Sequence, residues 1–140
     1  MKLYLALTFM KRNTLLLGFL LLLLLSGSQK MYAQCKEVLK SAEQMPEPVG
    51  GLKAFYDYIN ANLKYPEEAR NKKVEGRVHV TFVVGTDGSI SNVQVTKGLG
   101  SGCDEEAIRL IQNAPKWTPG RQGGSPVCVE VTRPITFDLK

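Results

Sequence analysis

From Gly76 to Thr96 the chain reads GRVHVTFVVGTDGSISNVQVT. Val78, Val80, Phe82 and Val84 alternate with Arg77, His79, Thr81 and Val83. That is the period of two that marks a half-buried strand. Thr86-Asp87-Gly88-Ser89 supplies turn chemistry, with Gly88 free to take a positive φ. A second β-branched run follows, with Val93 and Val95 on one face. Ile90 has the other parity, which predicts a bulge or a shifted register just after the turn. An isolated hairpin is marginal in water, so other elements must cover its apolar face.

Helical periods flank this hairpin. Leu52, Phe55, Tyr56, Ile59 and Leu63 share one face of a helix within Gly50–Leu63, opposite Lys53, Asp57 and Asn60. Pro66 with Glu67 and Glu68 starts a short second helix, where a missing N–H and early carboxylates are favourable. After a loop at Gly98–Gly102, Asp104-Glu105-Glu106 open a third helix with an Ala107, Leu110, Ile111, Ala114 stripe, stopped by Pro115. Trp117 sits between Pro115 and Pro119, where it closes one end of a core; a ligand-stacking role is the alternative. Val127, Val129 and Val131 alternate with Cys128, Glu130 and Thr132, and Ile135, Phe137 and Leu139 keep the parity in a final strand. Pro134 in that strand argues for an edge or a bulge. The order α-α-β-β-α-β makes an α+β two-layer sandwich, with a three-stranded antiparallel sheet (ββαβ) behind N-terminal helices.

The N-terminus has a different pattern. Lys11 and Arg12 precede an apolar run over Thr14–Leu25, followed by small residues. A membrane span needs roughly 20 apolar residues, so the run reads as a secretory signal. Three fates remain open: cleavage after Ala33 or Gln34, acylation of Cys35 in a weak lipobox, or retention as a signal anchor. Each places the domain in the cell envelope, on the periplasmic side. The divisions expected are residues 1–34 as signal or anchor, 35–49 as a short linker and 50–140 as the folded domain.

Charge changes the picture once it is located. The formal net charge is +5, but four of the 18 Lys+Arg (Lys2, Lys11, Arg12, Lys30) precede Cys35 while all 13 Asp+Glu follow it. From Cys35 onward the balance is therefore 14 to 13, and a nucleic-acid partner loses its support. Catalytic chemistry is not assembled either. His79 is the one histidine, on the strand face opposite the valines, and no nucleophile elbow, P-loop or dinucleotide motif is present. Asp104, Glu105 and Glu106 are adjacent on a helix and do not converge on one ion; capping and the helix dipole account for them. No catalytic residue, metal site or cofactor is expected. Cys103 and Cys128 lack metal-ligand spacing, and in an oxidising envelope they are candidates for a disulfide, with two separate thiols the alternative.

Taken together, Tyr65-Pro66 with Ala69, the Gly76 strand, Gly88, Val93 and Val95, Asp104 with Ala107 and Ile111, and Trp117-Thr118-Pro119-Gly120 before a closing strand resemble the C-terminal domain of TonB-family energy transducers. The wording GCDEEA and PKWTPG looks like Bacteroidetes-type versions. The resemblance spans Met45–Lys140. It implies a periplasmic module that binds an outer-membrane TonB-dependent receptor, or another envelope protein, by adding the partner's peptide as a strand. The implied binding edge is the backbone of Val127, Cys128, Val129, Glu130, Val131, Thr132 and Arg133. Inner-membrane motor proteins would be partners if the N-terminus is an anchor. The alternative is a structural protein that forms a homodimer through the same edge. One departure stands out: the long Pro-rich spacer of the family is replaced by about fifteen residues, which reach about 50 Å when extended.

Overall fold

A computed structural model describes residues 35–140. The expected signal, its cleavage site and its anchor alternative lie outside the described residues. The strands are β1 (Val38–Leu39), β2 (Glu47–Pro48), β3 (Gly76–Val84), β4 (Ile90–Lys97), β5 (Trp117–Thr118), β6 (Gly120–Gln122) and β7 (Ser125–Phe137). The helices are α1 (Gly51–Asn62), α2 (Glu67–Asn71) and α3 (Cys103–Gln112).

The sheet is built on β3. Val78, Val80, Phe82 and Val84 are fully buried on one face, as their alternation requires. β4 pairs with β3 on one side, and β7 pairs on the other from Gly76↔Phe137 to Val84↔Val129. The bulge expected after the turn is present. Ser91 opposes Val83 and Gln94 opposes Thr81, so Asn92 and Val93 together face Phe82. Asn92 takes φ 49°, a left-handed conformation that asparagine tolerates better than most residues. The turn itself is held by Asp87, whose Oδ1 accepts from the Ser89 amide at 3.0 Å and its hydroxyl at 2.6 Å. Gly88 has φ 79°, and a Cβ there would lie 1.9 Å from the Trp117 carbonyl oxygen. Trp117 returns its amide to the Gly88 carbonyl at 2.9 Å, so the hairpin tip is clamped to the segment after α3.

The helices cover the valine face. Phe55 and Ile59 of α1, Ala69 of α2 and Cys103, Ala107, Leu110 and Ile111 of α3 join the strand residues in one buried cluster. Leu52 departs from its expected place in the α1 stripe and stays half exposed. Trp117 is a core residue, 2% exposed, with its ring edge-on to Phe55 and Phe82. No face of it is open for ligand stacking.

Two expectations are corrected. The sheet has five strands rather than three, in the order β1-β7-β3-β4 with β6 also on β7. Cys35–Val49 is no free linker. Cys35 is disulfide-bonded to Cys128, β1 lies parallel to Cys128–Val129, Gln44 bridges Arg121, and β2 pairs with β5. These are backbone pairings of two residues each or a single bridge, too short to leave a period in the sequence.

The carboxylates at the start of α3 also differ from the expected cap. The cap position is Gly102, with no side-chain cap bond. Asp104 turns back to accept from the Leu99 and Gly100 amides at 2.8 and 3.3 Å. Glu106 is buried and accepts from the Lys64 amide at 2.7 Å and from Arg109 Nε and Nη2 at 2.7 Å. Arg109 donates onward to the Asn62 carbonyl at 2.9 Å, so this group ties the end of α1 to α3. Burial alone would raise the Glu106 pKa, but the Arg109 and Lys64 hydrogen bonds outweigh it and hold the carboxyl below its ordinary value. A depressed folded pKa gives stability that is present above the unfolded value of about 4.3 and is lost as pH falls through the folded value. Glu106→Gln is therefore expected to cost about 1–2 kcal/mol at neutral pH, discounted for the half-exposed Arg109. The gap between variant and parent should shrink as pH drops below about 4. Urea unfolding across that range measures it, and a gap that does not change with pH would remove the charge from the account.

Candidate functional site

The chain's one regular, unpaired backbone edge among the described residues follows from where short strands end. On its outer side, β7 is covered at Ser125–Val127 by β6 and at Cys128–Val129 by β1. Beyond Val129 no described strand lies on that side, so Glu130–Phe137 has a neighbour only in β3. An unpaired row of N–H and C=O groups is a template for another strand. Pro134 fits there, because a residue with no N–H is tolerated where one side of the strand is open. The opposite edge, β4, is also unpaired outward, but its register with β3 shifts twice. Bulges twist an edge away from further pairing.

The expected binding edge, Val127–Arg133, is divided by these pairings. Val127, Cys128 and Val129 are already paired outward and cannot accept a peptide there. Glu130, Val131, Thr132 and Arg133 remain open, and the open edge continues through Pro134, Ile135, Thr136 and Phe137. The cysteines are also corrected. Cys128 pairs with Cys35, so the Cys103–Cys128 bond is absent and Cys103 is a buried free thiol. Burial, followed by Asp104 and Glu105, pushes the Cys103 pKa up, which leaves it unreactive. A Cys35 sulfur held in a disulfide also has no thiol to acylate.

Arg133 gives the edge its one unusual side chain. Val129, Val131, Ile135 and Phe137 face the core, and Arg133 shares their parity. Its guanidinium carbon lies 5.3 Å from the centroid of the Trp117 ring, within cation–π range. Nη1 donates to the Thr132 carbonyl at 2.9 Å, and the buried Nε has no acceptor. Arg133 also lines a cavity of about 280 Å³ with Met45, Pro46, Glu47, Pro48 and Leu52. The sequence placed Arg133 in the edge for its backbone alone. The available signal was its core parity: an arginine two residues from Val131 and two from Ile135 on the buried face.

Catalytic groups do not converge elsewhere among the described residues. His79 opposes Pro134 and Lys97 across the sheet, and its buried Nδ1 has no partner to orient it. No cluster of three or more His, Cys, Asp or Glu that could hold a metal ion occurs among the described residues.

Comparison with known proteins gives the family and the fold. Residues 61–139 match the family model described as the Gram-negative bacterial TonB protein C-terminal. The chain is 33% identical over 82 residues to Protein TonB of Haemophilus influenzae, covering 59% of this chain and 30% of that protein. It is 29% identical over 76 residues to Protein TonB of Pseudomonas aeruginosa, covering 54% and 22%. The chain therefore matches less than a third of the length of these relatives. The solution NMR structure of the Helicobacter pylori TonB-CTD is similar at a TM-score of 0.50 and 26% identity, covering 64% of this chain and 94% of that one.

Proposed function

The chain belongs to the TonB C-terminal family, and from that premise we propose that it is a receptor-contacting module of the periplasm. It captures an extended peptide from an outer-membrane receptor as a strand added along Glu130–Phe137, and so takes part in energy coupling to outer-membrane transport. The observation that carries the reading is the outer side of β7: eight consecutive residues with no strand beside them, next to a regular nine-residue ladder with β3. Main-chain hydrogen bonds then supply affinity, and side chains of alternating residues supply specificity. Cys35–Val49 adds no spacer length to this module, because it is laid onto the domain. Among the described residues no helix is long and apolar enough to cross a membrane.

Amide NMR on isotope-labelled protein tests the reading. A synthetic peptide from the N-terminus of an outer-membrane receptor is expected to shift the amides of Glu130–Phe137 and slow their exchange. Protection at Ile90–Lys97 instead would move the site to the other edge. No peptide binding, together with a mass that doubles as concentration rises, would favour self-pairing of β7 and sink capture.

A further inference from the structure

We infer that the captured peptide is read by Arg133, which takes a carboxylate side chain of the peptide into the cavity beside the β7 edge. This rests on strand capture along Glu130–Phe137 and specifies which peptides that edge accepts. A strand added beside β7 places every second side chain on the face that Arg133 shares with the core. At Arg133 that face is not closed by packing but opens into the cavity of about 280 Å³. Its walls are apolar on one side, where Met45 and Leu52 are 44% and 50% exposed, two of the few exposed large hydrophobic residues. Arg133 also lines it, with a guanidinium carbon 5.3 Å from the Trp117 ring centroid.

Of the guanidinium nitrogens only Nη1 has a described hydrogen bond, to the Thr132 carbonyl, so donors remain for an anionic acceptor. A planar guanidinium meets a carboxylate with two parallel hydrogen bonds. The stem of a glutamate or aspartate would lie against Met45 and Leu52. Glu47 lines the same cavity, yet makes no ion pair with Arg133 within the structure's three described ion pairs. It therefore acts as a weak competitor: its charge lowers the affinity for an acidic side chain without satisfying Arg133.

Two variants of opposite sign test this with one peptide series. Receptor-derived peptides carrying Glu, Gln or Ala at each position in turn are titrated against the protein by calorimetry. One position is expected to prefer Glu over Gln by about five- to tenfold. Arg133→Gln should abolish that preference, and Glu47→Gln should enlarge it and tighten the Glu peptide. Glu47 is in an exposed position of β2, so its variant leaves the fold in place even if the Arg133 variant unfolds. Peptides that bind with no Glu preference at any position would overturn the Arg133 assignment while leaving strand capture standing. Weaker binding of the Glu peptide by Glu47→Gln would overturn it as well. Absence of binding by every peptide would instead count against capture itself.

Discussion

Trp117→Ala is expected to lower the unfolding free energy by about 3–5 kcal/mol, the range for removing a large buried aromatic ring. The ring is 2% exposed and meets Phe55 at 5.5 Å and Phe82 at 5.2 Å between centroids, both edge-on. Its contribution is apolar contact, because the buried Nε1–H has no acceptor. Phe at this position should therefore recover much of the loss, whereas a polar replacement should not. The backbone of Trp117 would keep its bond to Gly88, so the hairpin clamp survives and the cost is that of the cavity. Urea unfolding should show a lower midpoint at an unchanged slope. A shift worth under about 1 kcal/mol would mean that the neighbouring rings close over the space. Arg133 would also lose the surface on which it stacks.

Cys35→Ser is expected to have the next largest effect. The bond to Cys128 closes 93 residues of chain, for which the loop-entropy account gives about 4–5 kcal/mol and measured disulfides more often about 2–4 kcal/mol. The loss should be matched by a thiol reductant acting on the parent protein, and the reductant should leave the Cys35→Ser variant unchanged. Its structural signature is local. β1 is held by two residue pairs, too few to persist alone, so the Val38 and Leu39 amides should lose exchange protection while β3 keeps it. Peptide mapping under non-reducing conditions checks the pairing directly. A Cys103–Cys128 fragment, or equal stability with and without reductant, would contradict it.

How much of this was legible in the chain depends on how local the cause was. The β3 alternation, the Gly88 turn and the α3 stripe are properties of neighbouring residues, and each was readable. The bulge at Asn92–Val93 was readable too, because Ile90 and Val93 cannot share a face without one. Strands β1 and β6, by contrast, are two and three residues long, too short to show a period, and only the partner they lie against makes them strands. They decide where the open edge begins, so the sequence reading placed that edge three residues too early. Disulfide partners are likewise set by the fold. Cys103 was the candidate from topology, yet it packs inside the helix layer while Cys35 arrives from the far end of the chain. Leu52 matched the helical period and is still half exposed, on the wall of the cavity it shares with Arg133.

The Cys35–Cys128 bond has a mechanical meaning as well as a thermodynamic one. Tension applied to the chain N-terminal to Cys35 does not travel through α1, the β3–β4 hairpin or α3. It crosses one covalent bond and enters β7 at Cys128, two residues before the open edge begins. The helices, the hairpin and the core are thereby left off the path of the pull. A strand seated along Glu130–Phe137 whose tether leaves at the Phe137 end would meet the force lengthwise, with its row of hydrogen bonds strained together rather than peeled one at a time.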